Sequence, residues 1–200
     1  MACRQSRTVS VSLVVSLILL VVAACDNGLK RIVPPSMNSS AAASQAMEMY
    51  DQNQDSKISG DEFQKCVALK AIAKDGAVTP DMIADLVAKW TKGPVGRVGV
   101  GVQVLHNGKP LRGVTVKLTP EKFLGPNIKA AEATTDNFGG AAISLPTRDP
   151  GEPKGVPLGF YRVEIAKDGE SIPAKYNAET MLSIAVLGEQ TGGVTFNLIY

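Results

Sequence analysis

Histidine is almost absent from this chain of 200 residues, because His106, on a predicted hairpin turn, is the only one. A single histidine argues against a Ser-His or Cys-His nucleophile pair and against a zinc cluster. The chain also lacks a glycine-rich phosphate loop, since Gly139-Gly140 precedes a predicted strand instead of opening a helix. No catalytic constellation is found, and the sequence predicts a protein that is not an enzyme.

The N-terminal segment has the pattern of an export signal. Arg4 and Arg7 precede an apolar run at residues 13–24. The run ends with Val22-Ala23-Ala24, and Cys25 follows directly. This pattern resembles a bacterial lipoprotein signal peptide with its lipobox. The resemblance implies cleavage just before Cys25, a lipid on its thiol, and a membrane-anchored protein on the extracytoplasmic side, either periplasmic or at the cell surface. A transmembrane anchor is the alternative, but so short a run is marginal for a hydrocarbon core of about 30 Å.

Charge and cysteine content narrow the possible partners and crosslinks. Removal of residues 1–24, the predicted signal peptide, takes away two basic residues and leaves basic and acidic residues equal in number. A neutral chain argues against nucleic acid as a partner. Of the three cysteines, Cys3 leaves with the signal and Cys25 carries the lipid, so no disulfide can form within the chain. Cys66 lies in a helical pattern and is predicted to be a buried small hydrophobic residue.

Residues 51–62 have the spacing of an EF-hand calcium loop. Calcium takes about seven oxygen ligands, and the chain supplies them by coiling around the ion with alternate side chains pointing inward. Ca²⁺ is therefore the predicted cofactor. The predicted ligands are Asp51, Asn53, Asp55, the backbone carbonyl of Lys57, Ser59 through a water molecule, and Glu62 with both carboxylate oxygens.

Two further positions of the loop bear on its stability and affinity. Ile58 occupies the apolar position that fixes such loops to a core. Position six is normally glycine because φ is positive there, and Ser56 would hold that conformation at a cost of about 1–2 kcal/mol. Affinity would then fall about tenfold, to the range of about 10⁻⁴–10⁻³ M that is typical of extracellular modules. The alternative is an acidic turn between helices that matches the pattern without binding metal.

The residues on either side of the loop have helical spacing. Residues 25–40 are predicted to form an acylated tether, and residues 41–92 a helical EF-hand module. The last helix begins with Thr79 as N-cap and Pro80 at its first position. The segment 71–82 looks like a second loop, but one helix between the two turns would hold them at opposite ends. At most one calcium ion is expected, because the ligand positions of that second loop would be Ala71, Ala73 and Met82.

Beyond Gly93-Pro94 the apolar period changes from helical to two. Short alternating segments separated by turn residues predict a seven-stranded antiparallel β-sandwich over residues 97–200 and an α+β fold class. Carbohydrate-binding sandwiches usually present aromatic platforms, and the lone Trp90 lies on the apolar face of a helix instead. The predicted strands cover residues 98–104, 114–118, 130–135, 141–145, 161–165, 182–186 and 194–198.

Five short motifs occur in a characteristic order within the same region. They are Gly108-Lys109-Pro110-Leu111, Val114-Thr115-Val116, Thr135-Asp136-Asn137-Phe138-Gly139, Gly159-Phe160-Tyr161-Arg162-Val163 and Ile172-Pro173-Ala174-Lys175-Tyr176. Together they resemble the carboxypeptidase regulatory-like, or transthyretin-like, domain of bacterial surface lipoproteins. The resemblance implies an Ig-like sandwich that binds or displays and has no catalytic residues. Structural roles also explain the motifs, since Asn107-Gly108 suits a turn with positive φ and Tyr161 suits a tyrosine corner.

The sequence as a whole predicts a calcium-binding lipoprotein, anchored to the membrane through its N-terminal lipid. Its non-catalytic sandwich would contact a protein or another cell-envelope partner. The alternative is a metal-free structural or assembly lipoprotein whose sandwich binds a protein or a carbohydrate. Replacement of Glu62 by glutamine distinguishes the two, because only the first predicts a changed response to calcium.

Overall fold

The computed structural model describes residues 32–149, 152–188 and 193–200, so the predicted signal peptide and Cys25 lie outside the described residues. The described residues belong to one compact unit. They combine helices with mainly antiparallel β-pairing, and the fold class is therefore α+β. None of the helices in this part of the chain is both long enough and apolar enough to cross a membrane.

Within the described ranges, two α-helices begin at side-chain caps. Helix α1 is Ser39–Tyr50, and the side chain of Asn38 accepts a backbone N–H from its first turn. Helix α2 is Pro80–Lys92, and the Thr79 hydroxyl accepts the N–H of Met82 at 3.4 Å. The predicted cap and the predicted proline at the first helical position are both confirmed. The face of α2 that turns to the core carries Ile83, Val87 and Trp90.

The chain between α1 and α2 departs most from the predicted helices. The chain forms two 3₁₀ helices, Gly60–Gln64 and Val67–Ile72. They are separated by a break at Cys66, where φ is −147°. The chain turns back there, and strands β1 (Ile58–Ser59) and β2 (Ala77–Val78) pair antiparallel. The two turns therefore lie side by side, and the expectation that a helix holds them apart is wrong. Apolar residues three and four apart fit short 3₁₀ helices as well as one α-helix, so the spacing did not reveal the break.

Eight further strands among the described residues form two four-stranded sheets. They are β3 (Val100–His106), β4 (Lys109–Pro110), β5 (Thr115–Pro120), β6 (Ala131–Thr134), β7 (Gly140–Ile143), β8 (Gly159–Ala166), β9 (Ser183–Val186) and β10 (Val194–Leu198). In the first sheet the order is β6-β5-β8-β9. In the second sheet β10 pairs with one side of β3, while β4 and β7 pair with the other side.

Strand β10 has a direction that the sequence did not predict. It pairs with β3 in parallel, with Phe196 aligned on Val104, whereas the other ladders of the described strands are antiparallel. The prediction of a wholly antiparallel arrangement is therefore wrong for this pair. Period-two alternation sets which side chains face the core, and this pattern is the same for either strand direction.

Alternate residues of both sheets are buried in one continuous core, which also includes the buried faces of α1 and α2. In β3 the buried residues are Val100, Val102 and Val104, as the alternation predicted. Tyr161 of β8 is fully buried, and its hydroxyl donates to the carbonyl oxygen of Pro157 at 2.7 Å. This contact confirms the predicted tyrosine corner. The 3₁₀ helix Val67–Ile72, which follows the predicted ligand loop, packs against β8 and β9 of the first sheet.

Candidate calcium site

The predicted ligand loop begins where α1 ends. Asp51 caps α1, and its N–H donates to the carbonyl oxygen of Met47 at 2.9 Å. The chain then passes through exposed residues to Ile58 in β1, which is 0% exposed and aligned with Val78 in β2. The prediction that Ile58 fixes the loop to the core is confirmed.

Three loop side chains accept backbone N–H groups from residues further along the loop. Asp51 accepts the N–H of Asp55 through Oδ1 at 3.2 Å and that of Ser56 through Oδ2 at 3.0 Å. Asn53 Oδ1 also accepts the N–H of Asp55, at 2.9 Å. Asp55 Oδ1 accepts the N–H of Lys57 at 3.0 Å. These bonds wind the backbone around the side chains at loop positions one, three and five, which are three of the predicted ligands.

Two residues of the loop adopt the left-handed backbone region without being glycine. The angle φ is +58° at Gln54 and +65° at Ser56. Positive φ at Ser56 was predicted from its place at position six, and it is confirmed. Nothing about the glutamine side chain marked Gln54 as a second such position. Each costs an L-residue about 1–2 kcal/mol, so the loop holds local strain that glycine would relieve.

Glu62, in the 3₁₀ helix Gly60–Gln64, joins the two ends of the loop. Its Oε1 accepts the N–H of Gln52 at 2.7 Å and that of Asn53 at 3.2 Å. Its Oε2 accepts the N–H of Ser59 at 2.9 Å, which is the half of a capping box that Glu62 supplies. These backbone bonds, the one from Ser59 first, hold the pKa of Glu62 below its usual range.

The oxygen donors fit calcium in type and in order along the loop, but their carboxylates are not gathered at one point. Among the described residues, no three His, Cys, Asp or Glu side chains lie close enough together to hold a metal ion. Glu62 is only 7% exposed, and its Oε1 uses both lone pairs on backbone N–H groups. If Glu62 binds a calcium ion through both oxygens, Oε1 must first release one of its two backbone N–H groups. Oε2 accepts only one N–H and therefore has a lone pair free for the ion. Of the other predicted ligands, Lys57 lies exposed just before β1 and Ser59 lies half-buried within it.

The second turn, residues 71–82, pairs with the first and has Asp75 and Thr79 at positions five and nine, but it has no oxygen-bearing side chain at positions one, three and twelve. At its tip Asp75 and Gly76 have positive φ, and reciprocal backbone hydrogen bonds join Lys74 and Ala77. The first turn is therefore the one equipped to bind a cation. Positions one, three and twelve of the second turn are Ala71, Ala73 and Met82.

Sequence reasoning missed a polar contact beside the loop. The Tyr50 hydroxyl donates to Glu121 Oε2 at 2.7 Å, although 71 positions separate the two residues in sequence. Burial raises the pKa of Glu121 and raises the pKa of the Cys66 thiol to about 12. Cys66 is 1% exposed, which confirms the prediction that it is buried. No periodicity or motif signals a contact between residues so far apart.

A cluster of three aromatic side chains, His106, Tyr176 and Tyr200, lies at the surface. The rings of His106 and Tyr200 stack with centroids 4.2 Å apart, and Tyr176 lies 6.2 Å from Tyr200. The Lys175 ammonium lies 4.9 Å from the centroid of the Tyr176 ring, and Tyr200 is 40% exposed. Trp90 is in the core, as predicted. The position of the single tryptophan, however, does not predict an aromatic cluster built from histidine and tyrosine.

No protein-family model matches the chain, and no curated protein matches it in sequence. The geometry of the loop and its surroundings therefore carries the functional proposal.

Proposed function

We propose that this protein binds one calcium ion per chain through the loop of residues 51–62. The observation that carries the proposal is the winding of the backbone around Asp51, Asn53 and Asp55. Because their side-chain oxygens accept loop N–H groups, three hard oxygen donors are held within one tight turn, as a calcium loop requires. Lys57, Ser59 and Glu62 would supply the remaining protein ligands.

The proposed architecture is a helical EF-hand module at residues 41–92, followed by a transthyretin-like β-sandwich at residues 97–200. Its described strands are the seven predicted ones and the two-residue strand β4, Lys109–Pro110. The pairing of β1 with β2 supports the module, because it joins the ligand loop to a second turn. Two sheets whose alternate residues share one core support the sandwich. In this architecture the ion is structural, and its charge offsets the repulsion that would arise when Asp51, Asp55 and Glu62 are gathered around it.

The proposed location is the extracytoplasmic face of a membrane, through a lipid on Cys25. Support for it comes from the sequence pattern, because residues 1–31 lie outside the described part of the chain. Extracellular calcium modules bind at about 10⁻⁴–10⁻³ M. The positive φ angles at Gln54 and Ser56 support an affinity in this weak range.

The decisive experiment is calorimetric titration of the full-length protein in detergent with calcium, in the presence of excess magnesium. We expect one site of micromolar to millimolar affinity that Asp51→Ala abolishes. Asp61→Asn is the matched control, because it removes a neighbouring carboxylate at a position that is not a predicted ligand. Its oxygen can still accept the hydrogen bond from Gln64, which measures 3.2 Å. Absence of both heat and a melting shift at millimolar calcium would contradict the proposal.

A second function, for the sandwich, is favoured by the cluster of His106, Tyr176 and Tyr200. Partly exposed aromatic rings beside polar groups suit a protein or carbohydrate partner. The alternative of a metal-free structural or assembly protein would rest on this cluster instead of the loop. It predicts that calcium shifts the melting temperature of neither the wild type nor Glu62→Gln, whereas Tyr200→Ala reduces retention on insoluble cell-wall polysaccharide. Equal retention of Tyr200→Ala and the wild type would count against it.

A further inference from the structure

The start of the ligand loop is attached to the first sheet through Tyr50, the last residue of α1 and the neighbour of Asp51. The Tyr50 hydroxyl donates to Glu121 Oε2 at 2.7 Å. Its ring packs edge-on against Phe123, with centroids 6.1 Å apart. Tyr50 is 5% exposed, so water competes little for this hydrogen bond. Tyr50, which directly precedes the first ligand position, is therefore held in place by this hydrogen bond and this ring contact.

Glu121 is itself held by the first sheet. It follows β5 directly, and its N–H donates to the carbonyl oxygen of Phe160 in β8 at 2.9 Å. Its carbonyl oxygen accepts the N–H of Leu124 at 3.0 Å, closing the short 3₁₀ helix Lys122–Leu124. The position of the acceptor for Tyr50 is therefore set by β5 and β8 and not by the loop.

A second attachment follows the end of the loop. The N–H of Ala68, in the second 3₁₀ helix, donates to Ser183 Oγ at 2.7 Å. Ser183 begins β9, which pairs with β8. Both attachments therefore end on the first sheet, and residues 51–62 lie between them along the chain.

We propose that the first sheet sets the calcium affinity of the loop, with Glu121 and Ser183 as positioning residues. This inference rests on the proposed function. A cation draws ligands from both ends of the loop, Asp51 at the start and Glu62 at the end. Bonds that restrain those ends beforehand reduce the conformational entropy lost when the ion binds. The sheet thus acts on the site without contacting the ion.

The test is calorimetric calcium titration of the full-length protein and three variants, Tyr50→Phe, Glu121→Ala and Ser183→Ala, with melting temperatures measured in EDTA. Loss of one restraining hydrogen bond predicts calcium binding about three- to tenfold weaker. Two conservative variants serve as rescues. Glu121→Gln keeps an oxygen acceptor for Tyr50, and Ser183→Thr keeps the hydroxyl, so both are expected to bind within about twofold of the wild type.

Thr135→Val is the matched control for general destabilisation. The buried Thr135 hydroxyl accepts the N–H of Val114 at 3.0 Å and donates to the carbonyl oxygen of Leu111 at 2.7 Å, and neither bond involves the loop. This variant should melt lower yet keep its calcium affinity. The inference is overturned if Tyr50→Phe and Ser183→Ala bind as tightly as the wild type, or if Thr135→Val weakens binding as much as they do. A wild type that binds no calcium overturns the proposed function, and the inference with it.

Discussion

The two paired turns of the helical part share a scaffold but differ in their side chains. Ile58 in the first turn and Val78 in the second are both fully buried and aligned in one ladder. Asp51, at position one of the first turn, corresponds to Ala71 in the second. Pairing of the turns therefore depends on the backbone and on apolar residues, whereas cation binding depends on side chains that the pairing does not require.

The same two turns also differ in how they accommodate positive φ. The second turn places Gly76 at one of its two left-handed positions, next to Asp75. The first turn uses Gln54 and Ser56, neither of which is glycine. The ligand-bearing turn is therefore the more strained of the two.

The largest expected effect comes from breaking the shared ladder. Ile58→Ala should lower the free energy of unfolding by about 2–5 kcal/mol, and Val78→Ala by about 2 kcal/mol, because each leaves a cavity in the core. Both should also weaken calcium binding, although Val78 lies outside the ligand loop. Urea denaturation and calcium titration measure the two effects.

Val67→Ala is the control for these core substitutions. Val67 is 37% exposed, so its truncation should change the free energy of unfolding by less than about 0.5 kcal/mol. If Val78→Ala destabilised the protein and left calcium binding intact, the second turn would not support the first.

Glu62→Gln should have the next largest effect, because it changes the residue that joins the two ends of the first turn. An amide presents an NH₂ group where one carboxylate oxygen accepts backbone N–H groups, so at least one of those bonds is lost. We expect a loss of about 1–3 kcal/mol in the free energy of unfolding in EDTA and loss of calcium binding. Asp61→Asn, one position away, should change neither the free energy of unfolding nor calcium binding. Equal unfolding curves for the two variants would show that Glu62 does not join the loop ends.

Ser56→Gly should have a smaller effect on the free energy of unfolding, and it should stabilise the protein, whereas the preceding variants destabilise it. Glycine relieves about 1–2 kcal/mol of left-handed strain but gives back about 0.5–1 kcal/mol through greater freedom in the unfolded chain. The expected net stabilisation is roughly 0.5–1 kcal/mol, with calcium binding tighter by up to about tenfold. Thermal melting tests the stabilisation, and calcium titration tests the tighter binding.

Ser171→Gly is the matched control, because Ser171 is exposed and its φ is not positive. The same substitution there should destabilise the protein slightly, since only the entropic cost remains. A loss of stability for Ser56→Gly as large as that for Ser171→Gly would contradict strain in the first turn.

Features that depend on neighbouring residues were predictable from the sequence. The Thr79 cap, the burial of Ile58 and the positive φ at Asn107 and Gly108 follow from local residue chemistry, and the structure has each of them. In the candidate site, the order of donors along the loop and the special position of Ser56 were visible for the same reason.

Features that depend on distant residues were not predictable. The contact between Tyr50 and Glu121 joins residues 71 positions apart, and the parallel direction of β10 depends on where the chain enters the sheet. The backbone bonds of Glu62 oppose its use as a ligand with both oxygens, a conflict that a ligand pattern does not contain. Local chemistry thus specifies the turn, whereas tertiary packing determines how the turn is held.

The smallest expected effect is a pH dependence of the free energy of unfolding that arises from Glu121, the residue that accepts the hydrogen bond of Tyr50. Burial raises the pKa of Glu121 above the ordinary carboxyl value of 4.5, so the folded protein retains a proton there that the unfolded chain releases. Stability from this group is fully present below pH 4.5 and is lost as pH rises through the raised pKa. The groups around Glu121 are Tyr50, Cys66, Arg162 and Lys122.

Glu121→Gln does not titrate and should therefore lack this decline. In calcium-free buffer the stability of the wild type relative to the variant should fall from pH 4.5 upward and then become constant. Val78→Ala, which alters the second turn, should keep the pH slope of the wild type, because Ala77–Val78 contains no titratable group. Parallel pH curves for the wild type and Glu121→Gln would mean that Glu121 is not the source of the slope. A decline confined to the wild type and Val78→Ala would show that Glu121, the residue that accepts the hydrogen bond of Tyr50, titrates in its buried position, whereas the residues that pair the second turn contribute no such slope.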